Sequence, residues 1–110
     1  MKQIAYGASD GSVMIENFQP GVRPWRFDKG HTGAVYSVCM TPDGKKIISG
    51  AGDTTIRIWQ NNQDGASTVI REHESAVKSV ALNTNGSLLV SGSEDRKLQV
   101  YKMSDDEKDR

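Results

Sequence analysis

His31, Ser49 and Asp53 have the composition of a hydrolytic triad, in which a histidine takes a proton from a serine nucleophile and a carboxylate orients the imidazole. One repeat further on, the same residue types return as His73, Ser91 and Asp95. Catalysis by such a set needs an exposed serine on a strained turn with an oxyanion hole beside it. Ser49 lies instead within the β-like run KKIISGA. Other chemistry is weaker still. Gly50-Ala51-Gly52 sits between two strand-like runs rather than opening a helix, and no third glycine follows in register, which argues against a dinucleotide site. Asp105, Asp106, Glu107 and Asp109 crowd the C-terminus without the glycine or the alternating spacing of a calcium loop, so they read as a solvated tail. The single cysteine, Cys39, allows no internal disulfide and no metal-binding cysteine pair, and reads as a small core residue. His31 and His73 fall in different repeat copies and are poor candidates to share a metal. No catalytic residue, metal or cofactor is expected.

The elements that would position these side chains are short strands. From Gly30 to Trp59 the chain reads as three β-like runs, AVYSVCM, KKIISGA and TIRIW, separated by Pro42-Asp43-Gly44 and Gly52-Asp53. Sliding the chain by 42 residues places His31 on His73, Val35 on Val77, Gly50 on Gly92, Asp53 on Asp95 and Ile58 on Val100. Sliding it the other way by 43 lays KQIAYGASDGSVMI on KKIISGAGDTTIRI. A unit of this length lies in the range of propeller repeats.

Gly30-His31, the ISGAGDTTIRIW run and its echo LVSGSEDRKLQVY resemble the WD-repeat β-propeller family up to about Met103. The family's Trp-Asp pair is not complete: Gln60 follows Trp59, and Lys102 follows Tyr101. The resemblance implies an all-β propeller segment of about two and a half blades, incomplete on its own. Residues 1–29 would hold the second, third and outer strands of a first blade. A complete blade would span 30–72 and a partial third 73–103, leaving 104–110 as a charged, disordered tail. The strand count is ten: three, four and three. Pro24, in the outer run Val22 to Phe27, suits an edge strand. Asn85-Gly86-Ser87 has the form of a glycosylation acceptor but reads as a hairpin turn.

The same resemblance assigns His31, Ser49, Asp53 and Trp59 to a structural hydrogen-bond network, and likewise His73, Ser91 and Asp95, with Tyr101 in place of tryptophan. One imidazole nitrogen would donate to the aspartate and the other accept from the serine, and the indole N–H would complete the set. Partner binding in related propellers maps to Tyr36 and Lys78 on the inner strands and to Ser9, Gly52 and Glu94 just before the turn residues. An aromatic beside a cation and a carboxylate makes a plausible contact patch.

Composition sets the outer limits. The 110 residues carry 14 basic and 14 acidic side chains, which gives no global electrostatic reason for nucleic acid or anionic lipid as a partner. No run has the apolar core of a signal peptide or membrane-spanning length, so the expectation is a cytoplasmic protein whose partners are other proteins. The expected function is a non-enzymatic interaction scaffold that is completed by further blades, by self-association or by a partner. Two stretches, MIENFQPGVRPWRFDKGHTGAV and Asp64 to His73, resemble the centriolar proteome-of-centriole WD-repeat family, which implies a setting at the centriole, basal body or cilium. The alternative is a substrate adaptor in ubiquitin ligation or RNA processing.

Overall fold

The computed structural model describes residues 3–17, 21, 25–27, 30–61, 67–71 and 73–103. Within them lie ten strands and no helix: β1 (Gln3–Gly7), β2 (Val13–Asn17), β3 (Trp25–Phe27), β4 (Val35–Met40), β5 (Lys46–Ala51), β6 (Ile56–Gln60), β7 (Ser67–Ile70), β8 (Val77–Leu82), β9 (Leu88–Ser93) and β10 (Leu98–Lys102). They form three antiparallel sheets, β1-β2-β3, β4-β5-β6-β7 and β8-β9-β10. The sheets stack without closing into a ring. The all-β expectation of an open propeller segment holds, and the three sheets are referred to below as blades 1 to 3. Pro24, residues 62–66 and the tail from Ser104 lie outside the described residues.

Each blade is a meander because its turns carry the required chemistry. In the β1–β2, β5–β6 and β9–β10 turns, Asp10, Asp53 and Asp95 each accept the amide two residues on, at 2.9, 3.0 and 2.9 Å. The residue between them takes a left-handed conformation: Gly11 at φ 93°, Thr54 at 73° and Arg96 at 68°. Only the glycine adopts this freely, so the later two copies hold mild strain there. The turn from β8 to β9 uses Gly86 at φ 76°, with the Ser87 amide on Asn85 Oδ1 at 3.0 Å.

Two apolar seams join the blades. Val13, Ile15 and Phe27 of blade 1 meet Val35, Ile47, Ala51 and Trp59 of blade 2. Ile48 and Ile56 on the opposite face of blade 2 meet Val77, Val80 and Leu89 of blade 3. β5 is thus covered on both sides, which explains its nearly unbroken apolar run. Polar links reinforce the first seam. The Val35 amide donates to Ala8 O at 3.0 Å, and Asn61 Nδ2 reaches Gln3 Oε1 at 2.8 Å.

Candidate functional site

The loop before β4, the middle of β5, the β5–β6 turn and the end of β6 bring His31, Ser49, Asp53 and Trp59 to one point. His31 Nε2 lies 2.7 Å from Ser49 Oγ, and His31 Nδ1 lies 3.0 Å from Asp53 Oδ2. Trp59 Nε1 donates to Ser49 Oγ at 2.9 Å. A neutral imidazole satisfies every partner when Nδ1–H donates to the carboxylate and Nε2 accepts from the serine hydroxyl. Burial lowers the pKa of His31 more than hydrogen bonding to Asp53 raises it, which keeps the ring neutral. Burial alone would raise the pKa of Asp53, but the Thr55 hydroxyl and amide, the Thr32 amide and His31 together hold it below the usual range.

Thr55 also belongs to this set, beyond the residues expected from the repeat. Its hydroxyl donates to Asp53 Oδ1 at 2.7 Å and lies 3.2 Å from His31 Nδ1. The signal available was a Thr two residues after the turn aspartate, a spacing that lets one side chain share the carboxylate its own amide already caps.

These distances are those of a hydrolytic triad, yet access is missing. Ser49 is fully buried, and the equally buried indole of Trp59 occupies its hydroxyl. A substrate carbonyl could reach the oxygen only by displacing Trp59, which stacks on Phe27 of blade 1 with ring centroids 4.6 Å apart. The arrangement can brace a blade and cannot attack an acyl group. Gly30 explains the start of the motif: a Cβ there would fall 2.5 Å from Trp59 Cη2, so the indole lies where any other residue would intrude.

In blade 3, His73 Nε2 keeps its 2.7 Å contact with Ser91 Oγ. His73 Nδ1, however, is 3.5 Å from Asp95 Oδ2 and makes no hydrogen bond, although the side chain is fully buried. Lys97 stands where blade 2 has Thr55, so the bridging hydroxyl is absent, and Tyr101 replaces the indole. Asp95 is still held down, to about 2, chiefly by the Glu74 amide. In blade 1, Tyr6 and Glu16 occupy the places of Ser49 and Trp59 and bond each other, the phenol donating to Glu16 Oε2 at 3.0 Å.

The surface candidates fall into two groups. Tyr36 on β4, Lys78 on β8 and Glu94 in the β9–β10 turn converge across the second seam. Lys78 Nζ lies 3.8 Å above the centre of the Tyr36 ring and 3.5 Å from Glu94 Oε2. Tyr36 is 50 % exposed, Lys78 46 % and Glu94 58 % at the side chain, so the cluster is open to a partner. Gly52 lies under the rim of the Tyr36 ring, where a Cβ would stand 3.4 Å from Cε2. Ser9 is exposed on the corresponding turn of blade 1. At the opposite end of the sheets, an open polar crevice of about 640 Å³ is lined by Thr41, Asp43, Lys45, Asn85, Ser87 and Met103, with the Thr41 hydroxyl tied to its own turn aspartate, Asp43 Oδ1, at 2.7 Å. Burial pushes the Cys39 thiol up to about 11, so it carries little thiolate at neutral pH. Among the described residues no group of His, Cys, Asp and Glu could hold a metal ion, and no helix is long and apolar enough to cross a membrane.

Comparison with known proteins agrees with this geometry. Over 30 residues, 27 % of its length, the chain is 57 % identical to the Notchless protein homolog of Arabidopsis thaliana, in a stretch that makes up 6 % of that protein. It is 33 % identical over 73 residues, 66 % of its length, to the apoptotic protease-activating factor 1 of Mus musculus, again 6 % of that protein. It is 35 % identical over 54 residues, 49 % of its length, to the B-type cell cycle switch protein ccs52B of Medicago truncatula, 11 % of that protein. The chain therefore spans only 6 to 11 % of these relatives. The profile of the WD domain, G-beta repeat, matches residues 23–60 and 66–102, most of the chain and nearly all of blades 2 and 3, so this chain belongs to the WD-repeat family.

Proposed function

We propose that this chain is part of a non-enzymatic scaffold that binds another protein through the end of the blades where Tyr36, Lys78 and Glu94 meet. Repeat domains of this family generally act as non-catalytic protein-interaction modules. The observation that carries the reading is the exposed stack of Lys78 on Tyr36, closed by Glu94, which spans two blades and is held in place by both. An ammonium positioned over an aromatic ring leaves a rigid apolar edge and two charges available to one partner. Such a surface is tested by capture from cell extract on the immobilised chain and on its Tyr36→Ala/Lys78→Ala variant. Proteins retained by the parent and lost by the variant support the site, whereas equal retention sinks it.

The finer setting is a centriole, basal body or cilium, supported by the Asp64 to His73 run. The alternative is a substrate adaptor in a ubiquitin ligase or an RNA-processing complex, and the similarity to a protein named as a cell cycle switch favours the ligase form of it. Tubulin and centriolar proteins in the captured set would support the first, and ligase or RNA-processing subunits the second. A tagged chain spread through the cytoplasm without centrosomal foci would count against the centriolar setting.

A further inference from the structure

The Asn85-Gly86-Ser87 motif has no part in the histidine networks or in the Tyr36 cluster, yet its place in the fold makes it reactive. It forms the tip of the β8–β9 turn, where Asn83, Thr84, Asn85 and Ser87 are all exposed. Asn85 Oδ1 accepts the Ser87 amide at 3.0 Å, which keeps the carboxamide turned along the chain that follows it. The next residue has to be glycine. Gly86 takes φ 76°, and a Cβ there would stand 2.8 Å from Pro42 Cδ of blade 2. The turn therefore sets after Asn85 the residue whose amide nitrogen is least shielded by a side chain.

The same turn in blade 2 provides the comparison. Asp43-Gly44-Lys45 stands one repeat earlier, with Gly44 at φ 74°, its amide on Thr41 O at 2.8 Å and the Lys45 amide on Asp43 Oδ1 at 2.9 Å. Gly86 repeats the backbone bond, to Asn83 O at 3.0 Å. The backbones match and the side chains differ. Asp43 is an ionised carboxylate, held below its usual range by the Lys45 amide first and then by the Thr41 hydroxyl, and a carboxylate repels a nucleophile. Asn85 is a neutral carboxamide with ammonia as its leaving group. No side chain from Asn83 to Ser87 is buried, so the bond from Gly86 to Asn83 can open locally without exposing core.

We infer that Asn85-Gly86 is a site of spontaneous deamidation in the folded chain. The Gly86 nitrogen loses its proton to base and attacks Asn85 Cγ. A carbon–nitrogen bond forms there, and the carboxamide nitrogen takes up a proton and leaves as ammonia. Water then opens the cyclic imide at either carbonyl, giving aspartate at position 85 or isoaspartate, in which the main chain runs through the former side chain. Aspartate copies the turn of blade 2, because the new carboxylate can accept the Ser87 amide as Asp43 accepts that of Lys45. Isoaspartate adds a carbon to the main chain inside a loop closed by Asn83 N on Leu88 O at 3.0 Å and Leu88 N on Asn83 Oδ1 at 2.9 Å, and so loosens the start of β9. Either product puts a negative charge into the crevice that Asn85 lines together with Lys45.

The experiment incubates the full chain in buffer from neutral to mildly alkaline pH and maps its peptides by mass. The peptide that holds Asn85 should gain the mass difference between an amide and an acid, faster as base increases, and should accept methyl groups from an isoaspartyl methyltransferase. Asn61 and Asn83, which are followed by Asn62 and Thr84, are the references. Asn85 should convert roughly tenfold faster than either, a barrier difference of about 1.4 kcal/mol. Asn85→Ser should abolish the new species, and Asn85→Asp should keep the unfolding midpoint of the parent. The isoaspartate fraction, separated by ion exchange, should melt lower and lose amide protection at Leu88. Conversion of Asn85 no faster than that of Asn61 or Asn83, or conversion seen in urea and not in buffer, would overturn the proposal.

Discussion

Blades 2 and 3 share the same histidine–serine contact at 2.7 Å, and almost everything around that contact differs. In blade 2 the imidazole is locked on its other side by an aspartate at 3.0 Å and a threonine hydroxyl at 3.2 Å, under an indole that is itself sealed by the blade before. In blade 3 the aspartate stands off at 3.5 Å, a lysine replaces the threonine, and Leu98 and Val100 face solvent. Buried polar sets are worth most when every member is satisfied, and lose value quickly when one is not. The polar core of a blade is therefore written in its own sequence, while its strength depends on the neighbours that keep water out. Blade 2, flanked on both sides, should be the most stable part of the chain.

The largest test of this difference is Trp59. Trp59→Ala removes a fully buried indole, its stack on Phe27 and the donor to Ser49, and should cost roughly 3–5 kcal/mol. Tyr101→Ala, at a partly buried position, should cost less than half of that. Urea unfolding of the two variants measures the ratio, and equal losses would mean that the blades are equivalent after all.

His31→Ala comes next. It strands the Asp53 carboxylate and the Ser49 hydroxyl, a loss on the order of 1–3 kcal/mol. His73→Ala deletes one hydrogen bond rather than two and should cost less. Thr55→Val tests the bridging hydroxyl alone and should fall near 1 kcal/mol. Amide exchange should show protection falling first in blade 2 for the His31 variant and staying there for the His73 variant.

Much of this was legible in the sequence because the repeat places strands and turns together. The all-β class follows from glycines and aspartates recurring at fixed offsets, and strand limits differ from the reading by a residue or two. Ala34 and Thr55 open the runs AVYSVCM and TIRIW but lie just outside the strands, where the chain bends into turns. His31, Ser49, Asp53 and Trp59 meet because each lies at a fixed register position of the same sheet. Thr55 escaped because a threonine beside a strand reads equally as β-propensity. The unequal burial of blades 2 and 3 was also hidden, since a glycine such as Gly92 looks the same whether or not a valine fills the space above it.

Acid should sharpen the contrast. Burial depresses the pKa of His31 in the folded chain, so the unfolded chain binds the extra proton first. The stability tied to neutral His31 is complete above the unfolded value of about 6.5 and is lost as pH falls from there through the lower folded pKa. Asp95, held at about 2 by the Glu74 amide first, contributes stability that is present above the unfolded carboxylate value and lost as pH falls towards 2. Unfolding midpoints taken between pH 7 and 5 should therefore fall for the parent chain and fall less for His31→Ala. An identical slope in both would remove His31 from the acid response.

The smallest expected effect lies on the surface, where the two blades touch through side chains rather than backbone. Lys78 is bound to Tyr36 and to Glu94, but all three are about half exposed, so water and salt screen both contacts. Tyr36→Ala and Lys78→Ala should each move stability by no more than about 0.5 kcal/mol, and a double-mutant cycle should give a coupling of similar size. Their effect on partner capture should be far larger, because a preplaced aromatic and cation save a partner the entropy of ordering them. Stability and capture can thus be read on the same variants. A loss of several kcal/mol would show that the cluster is a seam between blades 2 and 3. Unchanged stability with lost capture would leave it as the surface through which the chain acts.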